Sequence, residues 1–197
     1  MKSSPSPAEA KASLRTRLRA ELEAVTPASR TSASAELCER VRNYPAWQNA
    51  RAVLLFFPVA SEPDISPLLT DALAAGKLLA LPRFNAAANA YEAVRVLDPV
   101  RELVVGPFQV QEPVAACPVV GLNRLDLALV PGLGFDAGGH RLGRGKGHYD
   151  RLLAGFTGMK IGVAFDFQIV DEVPCEPHDI ALDAVVSPAR WIEVKAG

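Results

Sequence analysis

Leu125-Asp-Leu-Ala-Leu-Val130 runs directly into Pro131-Gly-Leu-Gly-Phe-Asp-Ala-Gly-Gly-His-Arg-Leu-Gly-Arg-Gly-Lys-Gly-His-Tyr-Asp-Arg151. The first six residues read as a strand. The rest is a loop with glycines at 132, 134, 138, 139, 143, 145 and 147, and with Arg141, Arg144, Lys146 and Arg151 among the later ones. Glycine lets a backbone turn sharply and brings bare N–H groups close to a ligand. Guanidinium and ammonium groups add positive charge, and aligned N–H groups form an anion nest. This segment predicts a phosphate-gripping loop, with the Asp150 carboxylate placed to hold a metal. Gly147 or His148 opens a short helix that runs through Leu153.

Outward from this loop, strands alternate with helices. An apolar run over 52–57 reads as a strand buried on both faces, followed by a loop over 58–64. A helix over 65–75 stops at Gly76. Strands follow over 77–81 and 91–97, then a proline-rich, mostly irregular stretch over 98–124. Strands over 159–165 and 182–187 close the sheet. This order predicts an α/β layered fold, a mostly parallel sheet flanked by helices, in a single domain over 1–197. Ligands of such sheets sit at the carboxyl ends of strands. Three segments fall there: 58–64, 131–150 and 166–179.

A helical pair precedes the sheet. Residues 1–5 read as a disordered end. Ser6-Pro7-Ala8-Glu9 is a capping box with proline at the first helical position, so a helix runs over 7–24. Leu14, Leu18, Leu22 and Val25 form its apolar stripe, and Lys11, Arg15 and Arg19 share another face, read on spacing alone as solvated. Thr26-Pro27 caps a second helix that turns Ala33, Leu37, Val41 and Tyr44 inward.

Bulk composition excludes several classes. The chain has 197 residues, 49% hydrophobic and 22% charged, as in a soluble globular protein. A net charge of −1 gives no global drive toward nucleic acid or membrane. Basic character near 1–20 and 140–151 is local and lacks interleaved aromatics, which argues against an RNA partner. Cys38, Cys117 and Cys175 are widely spaced with no CxxC, against a disulfide framework or zinc site and in keeping with a reducing compartment. No signal segment or bilayer-length apolar run is present, so the cytoplasm is expected.

Two standard phosphate patterns fail. A Walker A loop would need glycine where His140 stands and a hydroxyl residue where Gly147 stands. Gly132 to Ala137 matches a dinucleotide fingerprint after a strand, but the glycines that follow leave no room for the helix that must open within it. Other chemical residues cluster in the three loops: Glu62 and Asp64 in the first, and Asp166, Gln168, His178, Asp179 and Asp183 in the last. His140, His148 and His178 show no zinc spacing. Asp150 and Asp179 are hard oxygen ligands suited to magnesium held mostly by phosphates and water. No serine–histidine–aspartate set stands out.

The chain resembles the 5-formyltetrahydrofolate cyclo-ligase (5,10-methenyltetrahydrofolate synthetase) family. The resemblance rests on Asp126-Leu-Ala-Leu-Val-Pro-Gly-Leu-Gly-Phe-Asp136 and Gly139-His-Arg-Leu-Gly-Arg-Gly-Lys-Gly-His-Tyr-Asp-Arg151. It is supported by Lys11-Ala-Ser-Leu-Arg15, Glu62-Pro-Asp64, Leu81-Pro82-Arg83, Gln111-Glu112-Pro113, Gln168, Val173-Pro174, His178-Asp179 and Asp183. It implies an ATP- and magnesium-dependent conversion of 5-formyltetrahydrofolate to 5,10-methenyltetrahydrofolate, with ADP and phosphate released through an iminium phosphate. The small molecules ATP and 5-formyltetrahydrofolate are then the only partners, and a monomer is expected.

Carried over by motif, the resemblance implies that Lys11, Ala12, Ser13, Leu14 and Arg15 contact ATP. Arg141, Leu142, Gly143, Arg144, Gly145, Lys146, Gly147, His148 and Tyr149 wrap its phosphates. Phe57 and Glu62 contact the folate, and the residues from Arg144 to His148 (Arg144, Gly145, Lys146, Gly147, His148) contact both ligands. Asp150 and Asp179 hold magnesium, and Arg144 and Lys146 stabilise charge on the transferring phosphoryl group. Counting back from Glu62 leaves Phe56, Phe57 and Pro58 as alternatives for the folate contact. His148 stands where many relatives have tyrosine. A phosphosugar isomerase or acyl-transferase on a similar layout, and a non-catalytic folate or nucleotide binder, are the rival readings.

Overall fold

The computed structural model describes residues 6–176 and 179–194. The expected disorder at 1–5 and the candidate His178 lie outside the described residues. Helices α1 (Pro7–Ala24), α2 (Pro27–Arg42) and α3 (Pro45–Asn49) precede the first strand. Strand β1 (Ala52–Leu54) leads to α4 (Ser66–Ala74), β2 (Leu78–Asn85) and β3 (Ala90–Val96). A small hairpin, β4 (Leu103–Val105) and β5 (Gln111–Pro113), comes before β6 (Leu127–Pro131). Then follow β7 (Gly134–Phe135), β8 (Arg141–Leu142), α5 (His148–Leu153), β9 (Met159–Val163), β10 (Ala184–Val186) and β11 (Trp191–Glu193).

Seven strands form the central sheet in the order β11-β10-β9-β6-β1-β2-β3. The four inner pairings are parallel; β3 and β11 join the edges antiparallel. The α/β class and mostly parallel sheet are therefore as the sequence pattern implies. Alternate residues of the strands supply two cores. One face carries Val53, Leu79, Leu127, Leu129 and Ile161 against Leu37 and Val41 of α2 and Leu68, Leu69 and Ala72 of α4. The other carries Ala52, Leu54, Ala80, Ala128 and Val130 against Phe135, Leu152 and Leu153.

Three local expectations are corrected. Residues 98–124 are not mostly irregular, because β4 and β5 pair there and Leu122–Arg124 forms a 3-10 turn. The strand over 182–187 does not end the sheet, since β11 continues it past β10. Tyr44 lies beyond the end of α2, where it stacks on Trp191 with ring centroids 3.5 Å apart. Among the described residues no helix is long and apolar enough to cross a membrane, and Cys38, Cys117 and Cys175 are free thiols.

Helix α1 holds both its predicted cap and a misread face. Ser6 Oγ accepts the Glu9 N–H and the Glu9 carboxylate accepts the Ser6 N–H, closing the capping box. Leu18 and Leu22 are buried against Leu133, Leu142 and Phe165, beneath the β7–β8 hairpin. Lys11, Arg15, Leu18 and Leu22 follow the spacing of one helical face. The buried stripe thus continues toward the N-terminus as Lys11 and Arg15, while Arg19 is exposed. Lys11 is only 7% exposed, so this is not a solvated basic face.

Candidate active site

A cleft of about 580 Å³ opens at the carboxyl ends of β1 and β6. The glycine-rich loop forms one part of its lining. After β6, Gly132 to Ala137 enters the short β7–β8 hairpin and no helix, so the dinucleotide fingerprint is structurally absent. Asp136 fixes the hairpin turn: its carboxylate accepts the N–H groups of Gly138, His140 and Val173 and contacts His140 Nδ1 at 2.9 Å. The chain then crosses the cleft through Gly143 to Gly147. Gly145 and Gly147 adopt φ of 101° and 63°, a left-handed backbone that L side chains disfavour. Gly147 is the residue before α5, so this conformation sets where His148, Tyr149 and Asp150 emerge.

Five cationic side chains line the cleft: Lys11, Arg15, Arg141, Arg144 and Lys146. Lys11 Nζ donates to Glu176 Oε2 at 2.7 Å and Asp179 Oδ2 at 2.6 Å. Burial pulls its pKa down, but the two carboxylates more than offset this and the net shift is upward. Arg15 Nε donates to the Gly143 carbonyl at 3.0 Å, tying α1 to the loop. The buried Arg141 guanidinium donates to Asp150 Oδ1 at 2.7 Å and lies 5.7 Å from the Tyr149 ring centroid. Arg144 Nη2 reaches Glu62 Oε1 at 3.1 Å and Ser61 Oγ at 3.2 Å. Lys146 Nζ sits 4.3 Å above the Phe108 ring.

The rest of the lining is aromatic and carboxylic. Phe56, Phe57, Tyr91, Phe108, His148 and Tyr149 face the cleft. Burial pushes the Tyr91 hydroxyl up to about 12, helped by the Glu112 and Glu62 carboxylates, and burial also raises Tyr149 well above its ordinary value. His148 is held below its ordinary value by burial first and by the charges of Arg151 and Lys146 second. Its Nδ1 faces Arg151 Nη2 at 2.8 Å. The guanidinium is the donor there, which places the imidazole proton on Nε2. Glu62 is raised by burial, against the lowering effect of the Val59 N–H and Arg144.

The fold therefore gathers Lys11, Arg15, Glu62, the loop from Arg141 to Asp150, and Asp179 around one cavity. Phe56 and Phe57 both line it, and Pro58 does not. Ala12 and Ser13 are exposed on α1 and Leu14 packs on the Leu18 cluster, so these three lie off the cleft lining. Asp64 instead accepts the Ser66 N–H at the start of α4. Gln168 is a buried brace on the Phe165 N–H and the carbonyls of Gly132 and Leu133. Asp166 holds Ser187, and Asp183 accepts the Lys160 N–H. His140 belongs to the Asp136 turn. The pattern reading did not reach Tyr91, Phe108 or the β5 residues; the Gln111-Glu112-Pro113 motif was the one signal for the last.

The donor chemistry suits magnesium. Among the described residues no three histidine, cysteine or carboxylate side chains cluster as a metal cage. Magnesium is commonly bound by one or two carboxylates with phosphate oxygens and water completing the shell. Asp150 and Asp179, both lining the cationic part of the cleft, fit that pattern.

Fold and cleft together define an α/β protein with a candidate active site at the strand carboxyl ends. The chain belongs to the 5-formyltetrahydrofolate cyclo-ligase family, whose model matches residues 7–188. It is similar to the 5-formyltetrahydrofolate cyclo-ligase of Escherichia coli (strain K12), 33% identical over 177 residues covering 88% of this chain and 97% of that protein. The Mus musculus protein of the same name is 30% identical over 195 residues, covering 91% of this chain and 96% of that protein. The NMR structure of Aquifex aeolicus 5,10-methenyltetrahydrofolate synthetase aligns with a TM-score of 0.85 at 32% identity, covering 95% of this chain and 94% of that one. Family membership makes the chain a ligase of folate metabolism.

Proposed function

We propose that the cleft cyclises 5-formyltetrahydrofolate to 5,10-methenyltetrahydrofolate at the expense of ATP. The observation that carries this reading is the meeting, in one cavity, of a cationic glycine-rich loop with an aromatic and carboxylic wall. The formyl oxygen attacks the γ-phosphorus and ADP leaves, giving an iminium phosphate. N10 then adds to the activated carbon and loses its proton, the carbon–oxygen bond breaks, and phosphate departs. Such chemistry asks for positioning and charge stabilisation more than for a protein nucleophile.

The roles are those the family motif implies, and the residues' places in the cleft support them. Lys11, Arg15 and the residues from Arg141 to Tyr149 hold the nucleotide. Arg144 and Lys146, the two exposed cations of the loop, swing onto the transferring phosphoryl oxygens. Glu62 and Phe57 contact the folate: one accepts pterin N–H groups and the other supplies an apolar face. Asp150 and Asp179 would hold magnesium, which neutralises phosphate charge when bound. Neutral His148 keeps added positive charge away from the folate.

The test is near-ultraviolet absorbance of the methenyl product, with protein, magnesium and 5-formyltetrahydrofolate, with and without ATP. A rise that requires ATP is the expected outcome. No rise from folded protein refutes the proposal, and turnover without ATP favours the isomerase or transferase class.

A further inference from the structure

Five carboxyl side chains line the cleft: Glu62, Glu112, Asp150, Glu176 and Asp179. Four are engaged by cations. Asp150 holds Arg141, Glu176 and Asp179 hold Lys11, and Glu62 holds Arg144 through one oxygen and the Val59 N–H through the other. Glu112, on β5, is different. It is 4% exposed. Its Oε2 accepts the Phe84 N–H at 3.0 Å, and its Oε1 is buried with no hydrogen-bond partner among the described residues. The charge of Arg83 reaches it, but that guanidinium is committed to Glu92 and to the carbonyls of Val114 and Cys117.

A buried acceptor without a donor is costly unless something supplies the donor. The ring of Phe84, whose N–H Glu112 accepts, lies 5.8 Å from Tyr91, 5.0 Å from Phe108 and 5.4 Å from His148, and these three rings line the cleft together with Glu112. Flat aromatic surroundings with one hydrogen-bond acceptor suit a flat ring that carries N–H donors on its edge. A phosphate is disfavoured beside Glu112, because the carboxylate repels an anion and the nearby Arg83 guanidinium is already committed.

We infer that Glu112 is a specificity-determining contact for the substrate's heterocycle: its unpartnered carboxyl oxygen accepts an N–H from the edge of the reduced pterin. This rests on the folate reading and deepens it by assigning a second carboxylate to the pterin. Glu62 must share its oxygens with Arg144 and Val59, whereas Glu112 has one uncommitted. Burial also raises the Glu112 pKa against the Phe84 N–H and Arg83, as an under-satisfied carboxyl requires.

The test uses full-length protein and two ligands titrated separately by calorimetry, 5-formyltetrahydrofolate and ATP. Glu112→Gln is nearly isosteric but has one carbonyl oxygen, which can serve Phe84 or the pterin and not both; its amide N–H groups would face the other donor. We expect the Kd for 5-formyltetrahydrofolate to rise at least tenfold and that for ATP to stay within twofold, with the same urea midpoint to within a few tenths molar. Glu112→Asp, which keeps the charge but withdraws it by one methylene, is expected to show the same folate-selective loss and covers the case in which the glutamine variant does not fold. Unchanged folate affinity in either folded variant overturns the proposal. So does equal loss of both ligands, or failure of both variants to fold, each of which assigns Glu112 a structural role only. Wild-type protein that binds ATP but no reduced folate removes the folate reading itself, an outcome separate from any behaviour of the variants.

Discussion

Arg144→Ala separates the chemistry of the cleft from its architecture. The Arg144 side chain is 52% exposed and makes two long contacts, 3.1 Å to Glu62 and 3.2 Å to Ser61. Ion pairs that exposed contribute about 0–1 kcal/mol to stability. Glu62, left without its cation, still accepts the Val59 N–H, and burial already raises its pKa, which lessens the cost of losing the pair. The stability cost is therefore at most about 1 kcal/mol. Catalysis is another matter. A guanidinium that meets a transferring phosphoryl group in a shielded cleft contributes on the scale of one oxyanion-hole donor, about 2.7–4 kcal/mol, or roughly 10²–10³ in rate. The assay pairs urea unfolding with the initial rate of methenyl product formation. We expect a urea midpoint close to wild type and a rate lower by about two to three decades. Arg144→Lys should fall between, because it keeps the charge and loses the planar fork. A rate within tenfold of wild type in folded Arg144→Ala would refute the assignment of Arg144 to the phosphoryl group.

Two further predictions follow from burial. Arg141→Leu should do the opposite of Arg144→Ala in the unfolding assay: with side chains 5% and 18% exposed, the Arg141–Asp150 pair leaves a largely buried carboxylate behind when broken, at a cost of about 3 kcal/mol. A urea midpoint unchanged in Arg141→Leu would contradict that. The second concerns pH. Burial raises the folded-state pKa of Glu112, so between the ordinary carboxylate range and the raised value the folded protein holds a proton that the unfolded chain has released. Unfolding free energy then falls as pH rises through that interval, by up to about 1.4 kcal/mol per pH unit for one group. Glu112→Gln lacks this slope, so its unfolding free energy minus that of wild type should become more positive from pH 4.5 to pH 8; a flat or declining difference is the contrary result.

Local chemistry was readable in the sequence, and long-range packing was not. The Ser6–Glu9 box, the strand that feeds the glycine-rich loop and the opening of α5 at Gly147 depend on residues within a few positions of one another, and each appears as the pattern implies. The β4–β5 hairpin was missed because its strands are three residues long and β4 is largely exposed, so neither shows alternating burial. Strand β11 is equally short and exists by pairing with β10. Spacing alone left the Lys11–Arg15 face of α1 reading as solvated for a different reason, and only the resemblance put it at the site. Lys11 and Arg15 look solvated by residue type, and only the folded chain supplies the Glu176 and Asp179 carboxylates and the Gly143 carbonyl that draw them inward. Glu112 shows the same limit: no spacing rule relates it to the glycine-rich loop that lines the same cavity.

The pairings of the cleft's charges bear on how it would grip a triphosphate under the proposed function. Five cations and five carboxyl groups line it, so its charges balance and self-repulsion is small. A phosphate must therefore compete with carboxylates already in place, and the competition is unequal. Breaking Arg141 from Asp150 exposes a buried pair to loss, whereas Arg144 leaves Glu62 from a half-exposed position at little cost. Lys146 sits over the Phe108 ring, and a cation over one partly exposed ring is held by about 0.5–1 kcal/mol. Arg141 is thus the fixed post of the loop, and Arg144 and Lys146 are its mobile cations. On the proposed function, Arg144 turning to the nucleotide would release Glu62 in the same movement to meet the folate. The two substrates are then coupled through a single ion-pair exchange, and nucleotide binding should strengthen folate binding in wild-type protein and lose that effect in Arg144→Ala.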